Sequence, residues 1–336
     1  MEKSMKVLLV GGTRFVGRHL VEELTRRGHD LTMFNRGTNN IFPQLKTIIG
    51  DRNIQNDIDK AVGENWDVVI DTCAYFPRQV QMLGSIVHSD ALYVLISSIS
   101  VYKNQEIPGL QENAELISIS EDTPEQITGE TYGGFKILCE KAAEKIGTRS
   151  LIIRPGLIVG PHDTTDRFTY WPYRISYGEK VLVPDCPRAP LQFIDARDLA
   201  VFIVNSIEKG STGAFNLVNS PGEFCFEDLI AACYRVTGSQ AAKIAVPEDF
   251  LLSKGVESWS DLPFWSPGKS SNFMLVSNRK ALNNGLKTRT LEETVRDIYN
   301  WFTAEKKNSL KAGLAKNREE QLLLEWQSVN KVSGEV

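Results

Sequence analysis

The first thirty residues restrict the fold more than any other part of the chain. Residues 5–10 are a short, nearly continuous apolar run, which is typical of a strand covered on both faces. Gly11, Gly12 and Gly17 follow, and a helical apolar pattern then runs to a stop signal at Gly28. Glycines at such a turn let the backbone approach phosphates closely, and the helix N-terminus adds free N–H groups. The segment therefore predicts a seat for a dinucleotide pyrophosphate, in preference to an ordinary turn that binds nothing.

Strand-like apolar runs alternate with helical patterns through the rest of the first half. The strand-like segments are residues 30–35, 47–49, 67–71, 91–97 and 150–154. Alternating strands and helices predict an α/β fold, a Rossmann-type doubly wound parallel sheet. The ligand of such a sheet lies outside the carboxyl ends of the strands, where the winding reverses.

The second half of the chain changes character, with a segment rich in proline and aromatic residues after residue 160. We expect the dinucleotide-binding domain to comprise residues 1–160 plus 193–218. A smaller mixed α/β C-terminal substrate lobe then comprises residues 161–192 plus 219–303, followed by a helical tail at 304–336. The tail either pairs with a second subunit in a homodimer or folds back on its own domain, and the sequence leaves both open.

Charge and cysteine content limit the class of protein. A formal net charge of −4 provides no general basic field, so nucleic acid is not favoured as a partner. The five cysteines and four histidines show no metal-ligand spacing, and the odd cysteine number argues for reduced thiols. No stretch reaches the roughly 18 apolar residues of a membrane helix. We expect a cytoplasmic protein without a metal site or a membrane span.

Three side chains have the chemistry of a hydroxyl or carbonyl site. Tyr132 and Lys136 are four residues apart on a predicted helix at 129–147, so they project from one face. A lysine ammonium near a phenol favours the phenolate and suits the tyrosine to general acid–base work. Ser98 follows the strand at 91–97, where a hydroxyl can hydrogen-bond a substrate oxygen. Each signal is weak alone, and their order along the chain makes coincidence a poor explanation.

Taken in that order, the motifs resemble those of the extended short-chain dehydrogenase/reductases, the NAD-dependent epimerase/dehydratase family. They are GGTRFVG at 11–17, SSISVY at 97–102, TYGGFK at 131–136, RP and GP within 154–161, and FIDARDLA at 193–200. The similarity covers roughly residues 5–300. It implies a nicotinamide cofactor and hydride transfer to or from a small-molecule substrate.

The resemblance also implies individual roles. Tyr132 is implied as the catalytic acid/base, Lys136 as the residue that holds the nicotinamide ribose and favours the phenolate, and Ser98 as the residue that positions the substrate oxygen. Asp51 and Arg52 match the pair that usually borders the adenine ring. The cofactor-binding residues implied in this way are Gly11, Gly12, Thr13, Arg14, Phe15, Val16, Gly17, Asn35, Arg36, Asp51, Arg52, Thr72, Cys73, Ala74, Tyr132 and Lys136.

Two departures from the family pattern concern the cofactor. Arg14 replaces a glycine of the usual loop, and GGTRFVG resembles a subgroup of bacterial reductases or epimerases and chloroplast stem-loop RNA-binding proteins. The second strand ends in Asn35 and Arg36, where NAD-specific members usually place an acid. Asn35 does not repel a 2′-phosphate, and both arginines can bind one through charge-assisted hydrogen bonds. We therefore expect NADP in preference to NAD, the alternative being two solvated arginines.

Other departures concern the substrate. Leu157 and Leu191 occupy places where nucleotide-sugar enzymes commonly carry an asparagine and an arginine, so a nucleotide-diphosphate sugar is in doubt. Three residues are candidates for substrate contact: Tyr102, Arg167 for an anionic group, and Trp171 for stacking on a ring. A packing or surface role is equally open for the last two.

The sequence thus predicts an NAD(P)-dependent oxidoreductase, epimerase or dehydratase acting at a hydroxyl or keto carbon of a sugar-like or other small substrate. Retained cofactor would give epimerisation or dehydration, and released cofactor would give net redox. The alternative is an RNA-binding or cofactor-sensing protein on the same fold.

Overall fold

The computed structural model describes residues 4–146, 149–305 and 309–333. The strands are β1 Lys6–Val10, β2 Asp30–Asn35, β3 Lys46–Ile49, β4 Val68–Asp71, β5 Leu92–Ile96, β6 Arg149–Pro155, β7 Leu157–Val159, β8 Lys180–Pro184, β9 Pro190–Leu191, β10 Phe193–Asp195, β11 Gly213–Leu217, β12 Phe224–Cys225 and β13 Ala242–Val246. The helices are α1 Phe15–Arg26, α2 Gln55–Ile58, α3 Pro77–Met82, α4 Tyr132–Ile146, α5 Tyr170–Ser176, α6 Ala196–Glu208, α7 Phe226–Thr237, α8 Glu248–Ser253, α9 Arg279–Asn283, α10 Leu291–Ala304 and α11 Lys316–Ser333.

The chain divides into two compact units. The first unit is assembled from Met1–Ile158, Phe193–Ser220 and Leu275–Thr288, and the second from Val159–Gln192, Pro221–Met274 and Arg289–Val336. The segment at 275–288, which the sequence placed in the substrate lobe, belongs to the first unit for a physical reason. Asn278 Nδ2 donates to the carbonyl of Val218 at 2.9 Å, and Ala281 and Leu286 lie in the core of the first unit.

A seven-stranded sheet runs through the first unit in the order β11-β6-β5-β4-β1-β2-β3 within the described residues. All six neighbouring pairs are parallel. The predicted Rossmann-type doubly wound sheet is therefore confirmed. The order reverses at β1, whose neighbours are β4 and β2, and this reversal is the switch point where such sheets bind ligands.

Side chains of β1 explain why the sheet is covered on both faces. Val7 and Leu9 lie in one hydrophobic cluster with residues of α1 and α6, and Leu8 and Val10 lie in a second cluster with residues of α3 and α4. Alternate residues of a strand point to opposite faces, so an unbroken apolar run requires helices on both sides.

The second unit contains a parallel pair, β8 with β13, and a short antiparallel pair, β9 with β12. Helix α7 packs against α5 and α10. Thr290 caps α10 by accepting the N–H of Glu293, whose carboxylate accepts the N–H of Thr290, so a T-x-x-E sequence starts this helix. These elements form the mixed α/β lobe that the sequence predicted.

A buried carboxylate on helix α11 binds other residues of the second unit. Glu319 is fully buried, and its Oε1 accepts the N–H of Leu182 at 2.8 Å while Oε2 accepts from Arg174 Nε. Leu322 and Leu323, three and four residues further along the same helix, are also buried. The described part of the tail thus folds back on its own unit, as one of the two predicted alternatives had it.

Candidate functional site

The glycine turn after β1 is shaped by close contacts that leave no room for side chains. Gly11 and Gly12 have φ angles of +113° and +96°, a region that favours glycine. A Cβ on Gly11 would lie 2.3 Å from Thr72 Oγ1, and a Cβ on Gly17 would lie 2.7 Å from the amide nitrogen of Gly12. Helix α1 therefore begins directly against the turn, and this cradle fits a dinucleotide pyrophosphate.

The middle of the turn carries larger residues. Thr13 is half-buried, and its carbonyl accepts from Asn39 Nδ2 at 3.5 Å. Arg14 is exposed at the N-cap of α1. Phe15 has a positive φ of 29° and packs edge-on to the ring of His19, and Val16 packs against the core. Arg14, which replaces a glycine of the family pattern, is thus outside the core, at the N-terminus of α1, where the helix dipole is positive.

The residues predicted to bind the adenosine lie at the end of β2 and directly after β3, and this edge is called the rim. Asn35 Oδ1 accepts the N–H of Gly37 at 2.8 Å, and Nδ2 donates to the carbonyl of Gly11 at 3.5 Å. Arg36 is exposed. Hydrogen bonds from Asn53, and secondarily the charge of Arg36, hold the pKa of the Asp51 carboxyl below its usual value. Arg36 and Asp51 are therefore electrostatically coupled on one rim.

The side chain of Arg52, which the resemblance implies beside the adenine ring, is buried in the first unit. Its guanidinium is buried and donates to both carboxylate oxygens of Asp71, at 2.5 and 2.7 Å. Tyr93 donates to the same carboxylate at 2.8 Å. Burial favours the neutral acid, but Arg52 and Tyr93 together hold the pKa of Asp71 below its usual value. The side chain of Arg52 is thus an interior counter-ion at the end of β4.

Residues 72–74 connect the glycine turn to the proposed catalytic helix. Thr72 Oγ1 donates to the carbonyl of Val10 at 2.8 Å. Burial raises the pKa of the Cys73 thiol, whose sulfur lies 3.2 Å from Arg52 Nη1, so this cysteine is a poor nucleophile. The carbonyl of Ala74 accepts from Lys136 Nζ at 2.7 Å.

Helix α4 begins against the turn that holds Ser98. Ser98 Oγ accepts the N–H of Ser100 at 3.1 Å and donates to its Oγ at 3.0 Å. A Cβ on Gly133 would lie 2.1 Å from the carbonyl oxygen of Ser100, so only glycine allows this packing. The glycine next to Tyr132 thus brings the first turn of α4 onto the serine turn.

Lys136 is the buried centre of the site. Its Nζ donates to the carbonyls of Ala74 and Ile96, at 2.7 and 2.9 Å. The same atom lies 5.8 Å from the ring centroid of Tyr132, which is half-buried. Burial lowers the pKa of Lys136 from its ordinary value. The two carbonyls belong to the loop at 72–74 and to the end of β5. The ammonium of Lys136 therefore contacts this loop, the end of β5 and the ring of Tyr132.

A buried polar network lies one helical turn beyond Lys136. Glu140 accepts from Ser97 Oγ and from two nitrogens of Arg154, at 3.0 and 2.7 Å. Tyr102 is fully buried; its hydroxyl donates to Asn216 Oδ1 at 2.6 Å and accepts from Arg154 at 3.1 Å. The hydroxyl of Tyr102, predicted to contact substrate, is thus engaged inside the first unit. Glu140 was not predicted from the sequence, where its only signal is its place four residues after Lys136.

The two other predicted substrate residues lie in the second unit. Trp171 is fully buried, and its Nε1 donates to the carbonyl of Pro263 at 2.8 Å. Arg167 is half-buried, and its Nε donates to Thr165 Oγ1 at 3.2 Å. Of these two, Arg167 alone keeps part of its side chain in contact with solvent. Trp171 packs in the core of its unit.

Within residues 4–146, 149–305 and 309–333, no cluster of three or more histidine, cysteine or acidic side chains has the arrangement of a metal site. In the same ranges no helix has both the length and the apolar character needed to cross a bilayer.

Comparisons with known proteins agree with this geometry. Residues 7–218 match the NAD dependent epimerase/dehydratase family. The chain is 26% identical over 270 residues, 74% of its length and 68% of the relative's, to the chloroplast stem-loop binding protein of 41 kDa b of Arabidopsis thaliana. It is 31% identical over 171 residues to a UDP-glucose 4-epimerase of Neisseria meningitidis serogroup B, covering 40% of this chain and 46% of that enzyme.

Solved structures share the fold at low sequence identity. The Bordetella bronchiseptica enzyme WbmG, in complex with NAD and UDP, superposes with a TM-score of 0.66 at 16% identity, over 90% of this chain and 96% of that one. A UDP-glucose 4-epimerase superposes with a TM-score of 0.67 at 16% identity, over 91% and 99% of the two chains. The family match extends from the glycine turn past the tyrosine–lysine helix. The chain therefore belongs to the NAD-dependent epimerase/dehydratase family and is an NAD-dependent enzyme of that class.

Proposed function

We propose that the chain catalyses hydride transfer at a hydroxyl or keto carbon of a small substrate, with Tyr132 as the acid/base. The observation that carries this proposal is the position of Lys136, bound to the loop beside the glycine turn and to the end of β5, with the ring of Tyr132 5.8 Å away. A nicotinamide dinucleotide, when bound, supplies the site that accepts or donates the hydride.

The roles of the protein side chains follow from their chemistry. Tyr132 takes the proton of a substrate hydroxyl during oxidation and returns one during reduction. The ammonium of Lys136 stabilises the phenolate and binds the nicotinamide ribose. Ser98 hydrogen-bonds the substrate oxygen, where its hydroxyl exchanges its present bond to Ser100 for one to substrate. The glycine turn and the N-terminus of α1 bind the pyrophosphate through backbone N–H groups.

The experiment that tests the function is a titration of the purified protein with NADPH and NADH, read by fluorescence transfer from protein to nicotinamide. We expect saturable binding of at least one cofactor, followed by turnover in a screen of carbonyl and sugar substrates. Net consumption of cofactor indicates a redox reaction, while substrate conversion without consumption indicates epimerisation or dehydration. Binding of neither cofactor would contradict the proposal.

We propose NADP as the preferred cofactor, because Arg36 and Arg14 are both exposed and Asn35 carries no charge. Arg36→Ala is expected to weaken NADPH binding by roughly 10- to 150-fold, since a charge-assisted hydrogen bond contributes roughly 1.5–3 kcal/mol. Affinity for NADH should change less than about twofold.

Fluorescence titrations of both cofactors measure this difference. Arg26→Ala, at the far end of α1 and bound to Glu23, is a matched control that should leave both affinities unchanged. Equal losses of NADPH and NADH affinity in Arg36→Ala would show that Arg36 does not read the 2′-phosphate.

For the substrate we propose a sugar-like or other small hydroxy or keto compound. Similarity to UDP-glucose 4-epimerases supports a sugar ring. Leu191 is buried, and Arg174, an alternative source of positive charge, is bound to Glu319. These two positions supply no charge for a diphosphate, but Arg167 keeps part of its side chain in contact with solvent, so the substrate screen should include free sugars, ketones and nucleotide-diphosphate sugars.

A second candidate function is RNA binding, favoured by the relative named as a stem-loop binding protein. Binding through phosphates weakens strongly as salt rises. A stem-loop RNA titration at two salt concentrations, with and without saturating NADPH, separates this candidate from the enzyme.

A further inference from the structure

Tyr75 lies beside Lys136, although none of the sequence motifs includes it. It follows the cofactor-side loop at 72–74 and precedes α3. Its ring centroid lies 5.2 Å from Lys136 Nζ, nearer than the ring of Tyr132 at 5.8 Å. Both distances are within the roughly 6 Å over which an aromatic face attracts a cation. The ammonium therefore has two aromatic rings and two backbone carbonyls as its neighbours.

The backbone at Tyr75 is held by a buried side chain. Gln79 Oε1 accepts the N–H groups of Tyr75 and Phe76, at 2.8 and 3.2 Å, and Gln79 Nε2 donates to Asn53 Oδ1 at 2.8 Å. Gln79 is itself buried. Tyr75 as a whole residue is nevertheless 46% exposed. A large aromatic side chain thus stands at the edge of the site on a fixed backbone, with much of its surface free for contact.

The surroundings of Lys136 leave its charge poorly compensated. The titratable groups that face it are Tyr132 and Cys139 on α4, Asp71 at the end of β4, and Cys73 and Tyr75 in the following loop. Asp71 already binds Arg52 in a bidentate ion pair. Burial raises the pKa of both thiols, that of Cys139 to about 12, so neither supplies a negative charge near neutral pH.

We propose, on the basis of the function proposed above, that Tyr75 is a positioning residue whose ring keeps the Lys136 ammonium charged and directed at the cofactor ribose. The quadrupole of an aromatic face favours the protonated form of a nearby amine. Removing the ring is expected to make the lysine lose its proton at a lower pH. Phenylalanine supplies the same face without the phenol and should preserve the effect.

The test measures NADPH affinity from pH 7 to pH 10.5 by fluorescence transfer, in a Tyr132→Phe background that removes the neighbouring phenol. Affinity falls as pH rises through the pKa of Lys136, because the ammonium is lost. With Tyr75→Leu we expect the midpoint of this fall to move down by roughly half to one pH unit relative to Tyr75→Phe. Neither variant has a phenol at position 75, so the comparison isolates the aromatic face.

Two further variants test whether the midpoint of the pH-dependent loss of affinity belongs to Lys136. Lys136→Met should abolish it, and Tyr177→Leu, which removes a similarly exposed tyrosine of the second unit, should leave it unchanged. Equal midpoints for Tyr75→Phe and Tyr75→Leu would overturn the role of Tyr75 and leave the proposed function intact. A midpoint that persists in Lys136→Met would overturn it also. Failure of the wild type to bind either cofactor would instead overturn the proposed function, and this inference with it.

Discussion

Replacing Tyr132 with phenylalanine is expected to lower kcat by about 10² to 10⁴-fold, which is the usual contribution of a general acid/base. The substitution removes one hydroxyl from a half-buried ring at the start of α4. The ring itself remains, and with it the contact to the ammonium of Lys136, whose hydrogen bonds to two carbonyls do not involve the phenol. The affinity for the nicotinamide cofactor should therefore stay within about twofold of wild type.

Steady-state kinetics with the substrate found in the screen, alongside cofactor titrations, measure both expectations. Tyr177→Phe, at an exposed tyrosine of the second unit, is the matched control and should retain full activity. Undiminished turnover in Tyr132→Phe would exclude the mechanism. A parallel loss of cofactor affinity and turnover would assign Tyr132 to binding instead.

Glu140→Gln is expected to lower the free energy of unfolding by about 3–5 kcal/mol, the cost of leaving a buried charge without its partner. Glu140 and Arg154 are both buried, and their paired hydrogen bonds measure 3.0 and 2.7 Å. Burial opposes the charged form, but the Glu140 carboxylate raises the pKa of Arg154 above its usual value. Glutamine keeps the volume and loses the charge, so Arg154 would remain ionised in the interior without a compensating charge.

Urea denaturation, compared at equal m-values, measures this loss of stability. Glu144→Gln, one turn further along α4 at an exposed position, should change stability by less than about 0.5 kcal/mol. Combining Glu140→Gln with Arg154→Met removes the unpaired charge and should recover part of the loss. Stability of Glu140→Gln within about 1 kcal/mol of wild type would show that the pair contributes little.

The sheet and the glycine turn were predictable because their signals are local. An apolar run such as Leu8–Val10 requires cover on both faces, and Gly17 is required by its contact with Gly12, only five residues away. Tyr132 and Lys136 share one helix, so their spacing fixes their common face. The strand at Gly213–Leu217 pairs with β6, which completes the sheet from a distant part of the chain.

The surroundings of other residues could not be predicted, because segments distant in sequence pack against them. Arg52 follows Asp51 in sequence, yet its partner is Asp71, and only the packing of β4 beside that loop buries it. Tyr102 lies after a serine-rich strand end, but Arg154 and Asn216 approach its hydroxyl from two other strands. Spacing along one element defines a face. It does not reveal which partner that face meets, so the interior positions of Arg52 and Tyr102 are seen only in the folded structure.

The three-part composition of the first unit has a consequence for its synthesis. The stretch Leu275–Thr288 is made after most of the second unit, yet Asn278 binds the chain at Val218 and Ala281 fills the sheet-side core. A nascent chain that has reached residue 220 therefore still lacks part of its nucleotide-binding unit. Folding of that unit cannot be completed until the ribosome has translated two of the three segments of the other one, so premature termination anywhere before residue 288 leaves both units incomplete.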